Sequence, residues 1–440
     1  MPLSFFGRSL LVSVLFIAAS ILHAQPMDAT PAPKPAASTS ALVQANTQFA
    51  FDLYRALHPP EGENVFFSPY SISTALAMTW AGAHGNTAAE MAKTLHWNGL
   101  PSDSVTPEFH ALQQSLATAQ KIAGANLSVA NSLWPEQNPE APFRPEYLAQ
   151  IQANFGSAIF PVDFKTQAPA AAAKINQWVE DNTNQKIKNL IHAEDLDTKT
   201  RLVLVNAIYF KGSWASPFTP RLTKPDQFTL ADGRTTPVLL MQNGYLPYEN
   251  RYANITDGPV PCQLLELPYF DSQEYRHPSP AGTGPGFSLL VILPRAAGDL
   301  AKLEQALTPA LFADWTNRLQ GARVRVFIPK FKTEERFLLA DTLKTLGIQD
   351  AFVYGPADFS GMDGTRLLYI SRVIHQSFIN VDENGTEAAA ATAVAMAAGA
   401  APPSQPPELF RADHPFLYFI RENATGSILF MGRLASPPAL

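Results

Sequence analysis

A single cysteine, Cys262, stands in 440 residues. No internal disulfide can form, so the core alone must hold the fold. With Leu264, Leu265 and Leu267 beside it, Cys262 reads as a buried apolar thiol, and no partnered histidine signature marks it as a nucleophile. Charge is sparse too: 32 basic against 38 acidic residues leave a net −6. The Lys and Arg residues are scattered, and a phosphate backbone finds no basic stripe, which excludes nucleic acid as the expected partner. The sequence lacks H-E-x-x-H, G-x-S-x-G, paired Cys ligands and a phosphate-binding glycine loop, and its nine histidines are dispersed. Neither an enzyme nor a metal or other cofactor is expected. No internal repeat is visible.

What is present is a large apolar fraction, 46% hydrophobic and 10% aromatic, enough for one big domain or two ordinary ones. Residues 1–24 read as an export signal: Arg8 gives the positive flank, and the apolar run 10–22 is too short to span a bilayer comfortably. Cleavage after Ala24 and retention as an anchor are both open, and the expected location is secreted, periplasmic or extracellular. Residues 25–41, rich in Pro, Ala, Ser and Thr, read as a disordered tether. Residues 42–440 form the folded domain.

Within it, Val43, Phe49, Leu53 and Leu57 recur near helical spacing until His58-Pro59-Pro60 stops the helix. A second helix is expected after Ser68-Pro69, with Ser71 as its cap and Ile72, Leu76 and Trp80 on one face. Helical patterns dominate to about His192, broken by a strand-like run at 127–134, and β-rich segments take over beyond Arg201. The class is therefore α+β. The near-continuous apolar runs 202–210 and 287–293 predict strands covered on both faces. The Pro- and Gly-rich stretch 271–286 predicts a surface loop.

Residues 383–401 are odd. Alanine favours helices, yet the pattern has period two: Thr386, Ala388, Ala390, Thr392, Val394 and Met396 share one face, and the other carries Glu387 followed only by alanines. That suits a strand with one buried face, although Ala has weak β-propensity. Pro402, Pro403, Pro406 and Pro407 end any pairing. Small side chains suit a segment that must slide between two strands already paired; on these residues alone, a flexible linker or a helix is the favoured reading.

The surroundings of this segment give it meaning. From about Leu42 to Pro437 the chain resembles serpins, with the matching motifs in family order. They are Asn64-Val-Phe-Phe-Ser-Pro-Tyr-Ser71; Leu204-Val-Asn-Ala-Ile-Tyr-Phe-Lys-Gly-Ser-Trp214 with Phe218; and Phe327-Ile-Pro-Lys330 with Leu343, Leu346, Gly347 and Phe352. Asp358-Phe-Ser-Gly-Met362, the hinge-like run from Glu383 to Ala391, Phe410-Arg-Ala-Asp-His-Pro-Phe416 and Phe430-Met-Gly-Arg433 complete the set. The resemblance implies three β-sheets, about nine helices and an exposed reactive-centre loop at about 383–410. It also implies a mechanism: a serine or cysteine endopeptidase attacks a bait bond in the loop, and the cleaved loop inserts into the central sheet while the acyl-enzyme survives. A non-inhibitory member, acting as a carrier, chaperone or protease substrate, is the alternative; its hinge would tend to carry bulky, charged or Pro residues, and here, from Gly385 to Ala391, only Glu387 departs from small.

Family spacing places the bait bond at Gly399–Ala400, within a window from Met396 to Pro403. Residues there are small or Met, so the expected target is elastase-like or subtilisin-like; no Lys or Arg between Glu383 and Arg411 invites a trypsin-like enzyme. The resemblance assigns the hinge to Glu383, Gly385, Thr386, Glu387, Ala388, Ala389, Ala390 and Ala391. It assigns a shutter to Ser68, Ser71, Asn206 and His375, and a breach to Trp214, Lys330 and Glu383. No basic cluster at 99–119 implies a heparin-like activator, and a monomer is expected. Asn384-Gly385-Thr386 is a glycosylation sequon whose glycan would obstruct insertion, so a source that does not glycosylate it is expected, resembling bacterial secreted members of the family.

Overall fold

The helix expected at the start of the folded chain forms at Ala41–Ala56. Its N-cap is Ser40, whose hydroxyl accepts from the Val43 N–H at 3.2 Å, so the expected tether ends one residue early. The second helix is Pro69–Trp80, and its cap is Ser68 rather than the expected Ser71. Ser68 Oγ accepts from the Ser71 N–H at 3.1 Å, and Pro69 takes the first helical position, where its missing N–H costs nothing. Ser71 therefore lies in the first turn, with its hydroxyl available elsewhere.

The computed structural model describes residues 40–57, 59–156, 159–243, 250–269, 286–387 and 406–437. The expected signal and nearly all of the tether, most of the 271–286 loop, hinge residues Ala388–Ala391 and the whole Met396-to-Pro403 window lie outside them. Three sheets form, as expected, with ten α-helices among the described residues rather than about nine.

One sheet has seven strands in the order Val65–Phe67, Ile428–Leu434, Phe416–Glu422, Phe287–Pro294, Cys262–Tyr269, Asn250–Ile255 and Gln320–Ala322. A four-stranded sheet runs Glu408–Arg411, Val324–Pro329, Thr235–Gln242 and Lys224–Thr229. The third, five-stranded sheet is ordered Phe331–Leu338, Ile370–Asp382, Gly385–Thr386, Leu202–Ser213 and Asn126–Pro135.

Burial explains the apolar runs. Val203, Val205 and Ala207 pack with Ile175 and Val179 of the helix Phe164–Asn182, on one side of the five-stranded sheet. Leu202 and Leu204 join a separate core cluster that includes Ile72 and Leu76 of the second helix. Alternate residues of one strand thus enter two cores. Cys262 is fully buried, as its neighbours suggested, and burial pushes its thiol up to about 12.

Candidate functional site

The five-stranded sheet is closed along most of its middle. Residues from Ile370 to Phe378 pair in parallel with Leu202 to Tyr209. At one end only, the two-residue strand Gly385–Thr386 lies between these strands and pairs antiparallel with both: Thr386 faces Val381 and Gly212, and Gly385 faces Asp382 and Ser213. It is a wedge started into a seam. Thr386, first of the alternating face, is buried, and its hydroxyl lies 2.6 Å from that of Tyr269.

Glycine is required at the wedge. Gly385 has φ +155°, and a Cβ there would lie 2.0 Å from the Gly212 carbonyl oxygen. Pairing ends at Thr386, and Glu387 follows with φ +50°, a left-handed conformation uncommon for a residue with a side chain. The Glu387 N–H donates to the Asn380 carbonyl at 2.8 Å, and its carboxylate pairs with Lys186. Burial and the Glu387 charge together push the Tyr209 phenol up.

Above the wedge, Trp214, Lys330 and Glu383 come together. The Trp214 indole donates to the Asp382 carbonyl at 2.9 Å, and its backbone N–H donates to Asn384 O at 2.8 Å. Its ring stacks on Tyr269 with centroids 4.6 Å apart. Glu383 accepts from the Lys330 ammonium at 2.8 Å, and its carbonyl accepts from the Phe218 N–H at 2.8 Å. Burial is the largest single influence and works to raise the Glu383 carboxyl, but hydrogen bonds from Lys330, a backbone N–H and Thr223, with the Lys330 charge, together outweigh it and hold the group below the usual range.

Midway along the seam, Ser68, Ser71, Asn206 and His375 also converge. His375 and Asn206 are direct partners across the seam. The Ser68 N–H donates to His375 Nε2 at 3.0 Å, so Nδ1 carries the proton and donates to Asn206 Oδ1. Asn206 Nδ2 donates to Ser71 Oγ at 2.6 Å, and Ser68 Oγ donates to the Leu429 carbonyl at 2.6 Å. This network joins the two strands that would have to part to the helix behind them. His375 has no exposed surface. Both ring nitrogens are engaged in hydrogen bonds.

Burial pushes the His375 imidazole down from 6.5 to about 3. The native state therefore binds this proton more weakly than the unfolded chain. The contribution is complete above about pH 6.5 and is lost as pH falls toward the folded value, by at most about 1.4 kcal/mol per pH unit. The urea midpoint should fall between pH 7 and pH 5, and His375→Gln should flatten that dependence. A wild-type midpoint constant over this range would refute the coupling.

Sequence reasoning missed three participants. Asn131 Nδ2 donates to the Ser71 carbonyl at 3.1 Å, and its Oδ1 accepts from Ser71 Oγ at 2.9 Å; a polar residue inside the apolar run 127–134 was the available signal. Tyr269, which touches both Thr386 and Trp214, carried none. Neither did Lys186, which lies far from Glu387 in sequence.

The family description Serpin (serine protease inhibitor) matches residues 44–437. Leukocyte elastase inhibitor of Homo sapiens is 41% identical over 408 residues, covering 90% of this chain and 99% of its own length. Serpin B3 of Homo sapiens is 38% identical over 412 residues, covering 90% of this chain and all of its own. The crystal structure of Serpin48 from the insect Tenebrio molitor superposes with a TM-score of 0.76 at 30% identity, covering 90% of this chain and 98% of that one. These relatives overturn the expected secreted, periplasmic or extracellular location, because the leukocyte elastase inhibitors are intracellular proteins without a signal peptide. They are also eukaryotic, and give no support to the expected likeness to bacterial secreted members.

Proposed function

The chain belongs to the serpin family, and from that premise we propose that it inhibits serine endopeptidases by trapping them as acyl-enzymes rather than acting as an enzyme itself. The observation that carries this reading is the Gly385–Thr386 wedge between two strands that are otherwise paired with each other. In the reaction, the protease serine Oγ adds to the Gly399 carbonyl and the Gly399–Ala400 C–N bond breaks. The new Ala400 amine takes the proton, and an ester tethers the protease to the loop. The wedge then extends along the seam. One parallel ladder is replaced by two antiparallel ones, a gain of roughly one hydrogen bond per inserted residue and on the order of 10 kcal/mol over a dozen residues. Such a state persists uninserted only behind a kinetic barrier. Dragging the protease away from its docking site displaces its oxyanion donors and stalls deacylation.

In this reading, Trp214, Lys330 and Glu383 hold the mouth of the seam, and Ser68, Ser71, Asn206 and His375 hold its middle. Met396 to Pro403 offers only small residues, Met and Pro, which favours elastase-like or subtilisin-like targets; the relative named a leukocyte elastase inhibitor points the same way. The small residues of the hinge argue against a purely non-inhibitory carrier or chaperone. The test is incubation with elastase, subtilisin and trypsin, followed by a denaturing gel. A covalent complex with elastase, subtilisin or both, and none with trypsin, is expected. Cleavage without complex for every protease would make the protein a substrate, and a stable trypsin adduct would refute the assigned specificity.

A further inference from the structure

We propose that Asn384–Gly385 is a site of spontaneous chemical modification, the rearrangement of Asn384 to isoaspartate, which turns the inhibitor into a substrate as the protein ages. The loss of inhibition rests on the function proposed above; the chemistry at Asn384 does not. Asn-Gly occurs three times in the chain, at Asn98, Asn243 and Asn384, and asparagine before glycine is labile because no side chain shields the backbone nitrogen that follows it. The fold sorts the three. Asn243 has both amide atoms tied to one strand: Nδ2 donates to the Val324 carbonyl at 3.0 Å, and Oδ1 accepts from the Val326 N–H at 2.8 Å. Asn98 and Gly99 are exposed in the turn that follows the helix Gly85–Thr94. Only Asn384 stands in the hinge.

The wedge keeps the labile pair in place, because no residue but glycine fits against the Gly212 carbonyl at 385. It also covers that pair thinly. Gly385 and Thr386 alone pair with the strands on either side, and at Glu387 the chain takes a left-handed conformation. A pairing two residues long opens more readily than the sheet around it. In the open state the Gly385 nitrogen adds to the Asn384 side-chain carbonyl carbon, passes its proton to the departing amide, and ammonia leaves a cyclic imide. Water opens the imide at either carbonyl. Opening at the side-chain carbonyl gives aspartate; opening at the backbone carbonyl gives isoaspartate, whose chain runs through Cβ and Cγ with one extra backbone methylene and a new carboxylate.

Isoaspartate does not fit the wedge. The Asn384 N–H donates to Asp382 Oδ1 at 2.8 Å, and the Asn384 carbonyl accepts from the Trp214 N–H at 2.8 Å, so this end of the turn is pinned. An added methylene is a fraction of a residue, and no shift of register absorbs it. Gly385 and Thr386 therefore lose their places opposite Ser213 and Gly212, and the Thr386 hydroxyl loses Tyr269. The new carboxylate also enters a turn that already holds Asp382 and Glu383. Insertion starts without its first two residues, and deacylation wins.

The experiment holds the full-length protein at physiological temperature in mildly alkaline buffer until the exposed Asn98 has converted. Peptide mass spectrometry reads amide-to-acid conversion at each site, labelling by protein isoaspartyl methyltransferase reads isoaspartate, and titration against elastase reads the inhibitor that remains. Asn384 should convert and Asn243 should not, with titratable inhibitor lost in the same fraction as isoaspartate gained at 384. Asn384→Gln, whose longer side chain must close a larger and slower-forming ring, should keep its own starting titre. Repeated methylation of aged wild type with S-adenosylmethionine re-forms the imide and carries residue 384 over to aspartate, which has the ordinary backbone length, so inhibition should return. An intact amide at Asn384 after Asn98 has converted would overturn the site. Conversion with an unchanged titre, or repair without return of inhibition, would overturn the consequence drawn from it. Fresh protein that never inhibits elastase would overturn the inhibitory reading and that consequence together, while conversion at Asn384 would still be read by mass and label.

Discussion

Gly385→Val should convert the inhibitor into a substrate. A side-chain carbon at 385 would lie 2.0 Å from the Gly212 carbonyl oxygen and 2.8 Å from Ser213 Cα. Both are backbone atoms with no rotamer to move, and φ +155° is itself unfavourable for a residue with a side chain. The wedge must leave the seam, and insertion must begin without its first two residues already in place. Overpacking of this kind costs about 1–3 kcal/mol. If that cost falls on the barrier to insertion, about 1.4 kcal/mol slows it tenfold relative to deacylation. Titration against elastase should then need about ten times more inhibitor per enzyme inactivated, and the gel should show cleaved chain in place of complex. An unchanged stoichiometry would mean that the wedge has no part in starting insertion.

Glu383→Lys should release the mouth of the seam. Glu383 is buried, and the Lys330 ammonium that it binds at 2.8 Å is about one-third exposed. The substitution removes the acceptor and sets a second cation against the first, away from water. Breaking a fully buried pair costs about 3–5 kcal/mol, and partial solvation of Lys330 lowers this to about 2–3 kcal/mol. The loss falls on the state with the loop outside the sheet, next to the backbone bonds that Trp214 and Phe218 make to Asn384 and Glu383. The expected result is polymer or an inactive inserted monomer on gentle heating, seen by native gel and size exclusion, at temperatures where wild type stays monomeric and active. Monomer behaviour identical to wild type would mean that the pair does not gate insertion.

Much of this was legible in the residues because the signals are local. Pro59 and Pro60 end a helix through the chemistry of the imide, and Ser68-Pro69 starts another. The cap was misplaced by three residues because Ser68 and Ser71 have the same hydroxyl, and only the backbone path decides which of them lies outside the helix. The buried strands Leu202–Ser213 and Phe287–Pro294 were visible as apolar runs. The location was misread because an apolar stretch with a positive flank suggests export by composition alone.

Period-two alternation from Thr386, small side chains through the hinge and the absence of any basic residue across the bait window belong to the sequence by itself, because each depends only on the identity and spacing of neighbouring residues. The tertiary structure decided that Gly385 and Thr386 lie between two strands that are otherwise paired with each other. The seam is built from strands more than 150 residues apart in the chain, and the contacts along it, Asn131 to Asn206, Thr386 to Tyr269 and Glu387 to Lys186, join partners that no spacing rule connects. Such contacts exist only once packing has brought the partners together, so their positions along the chain carry no local signature.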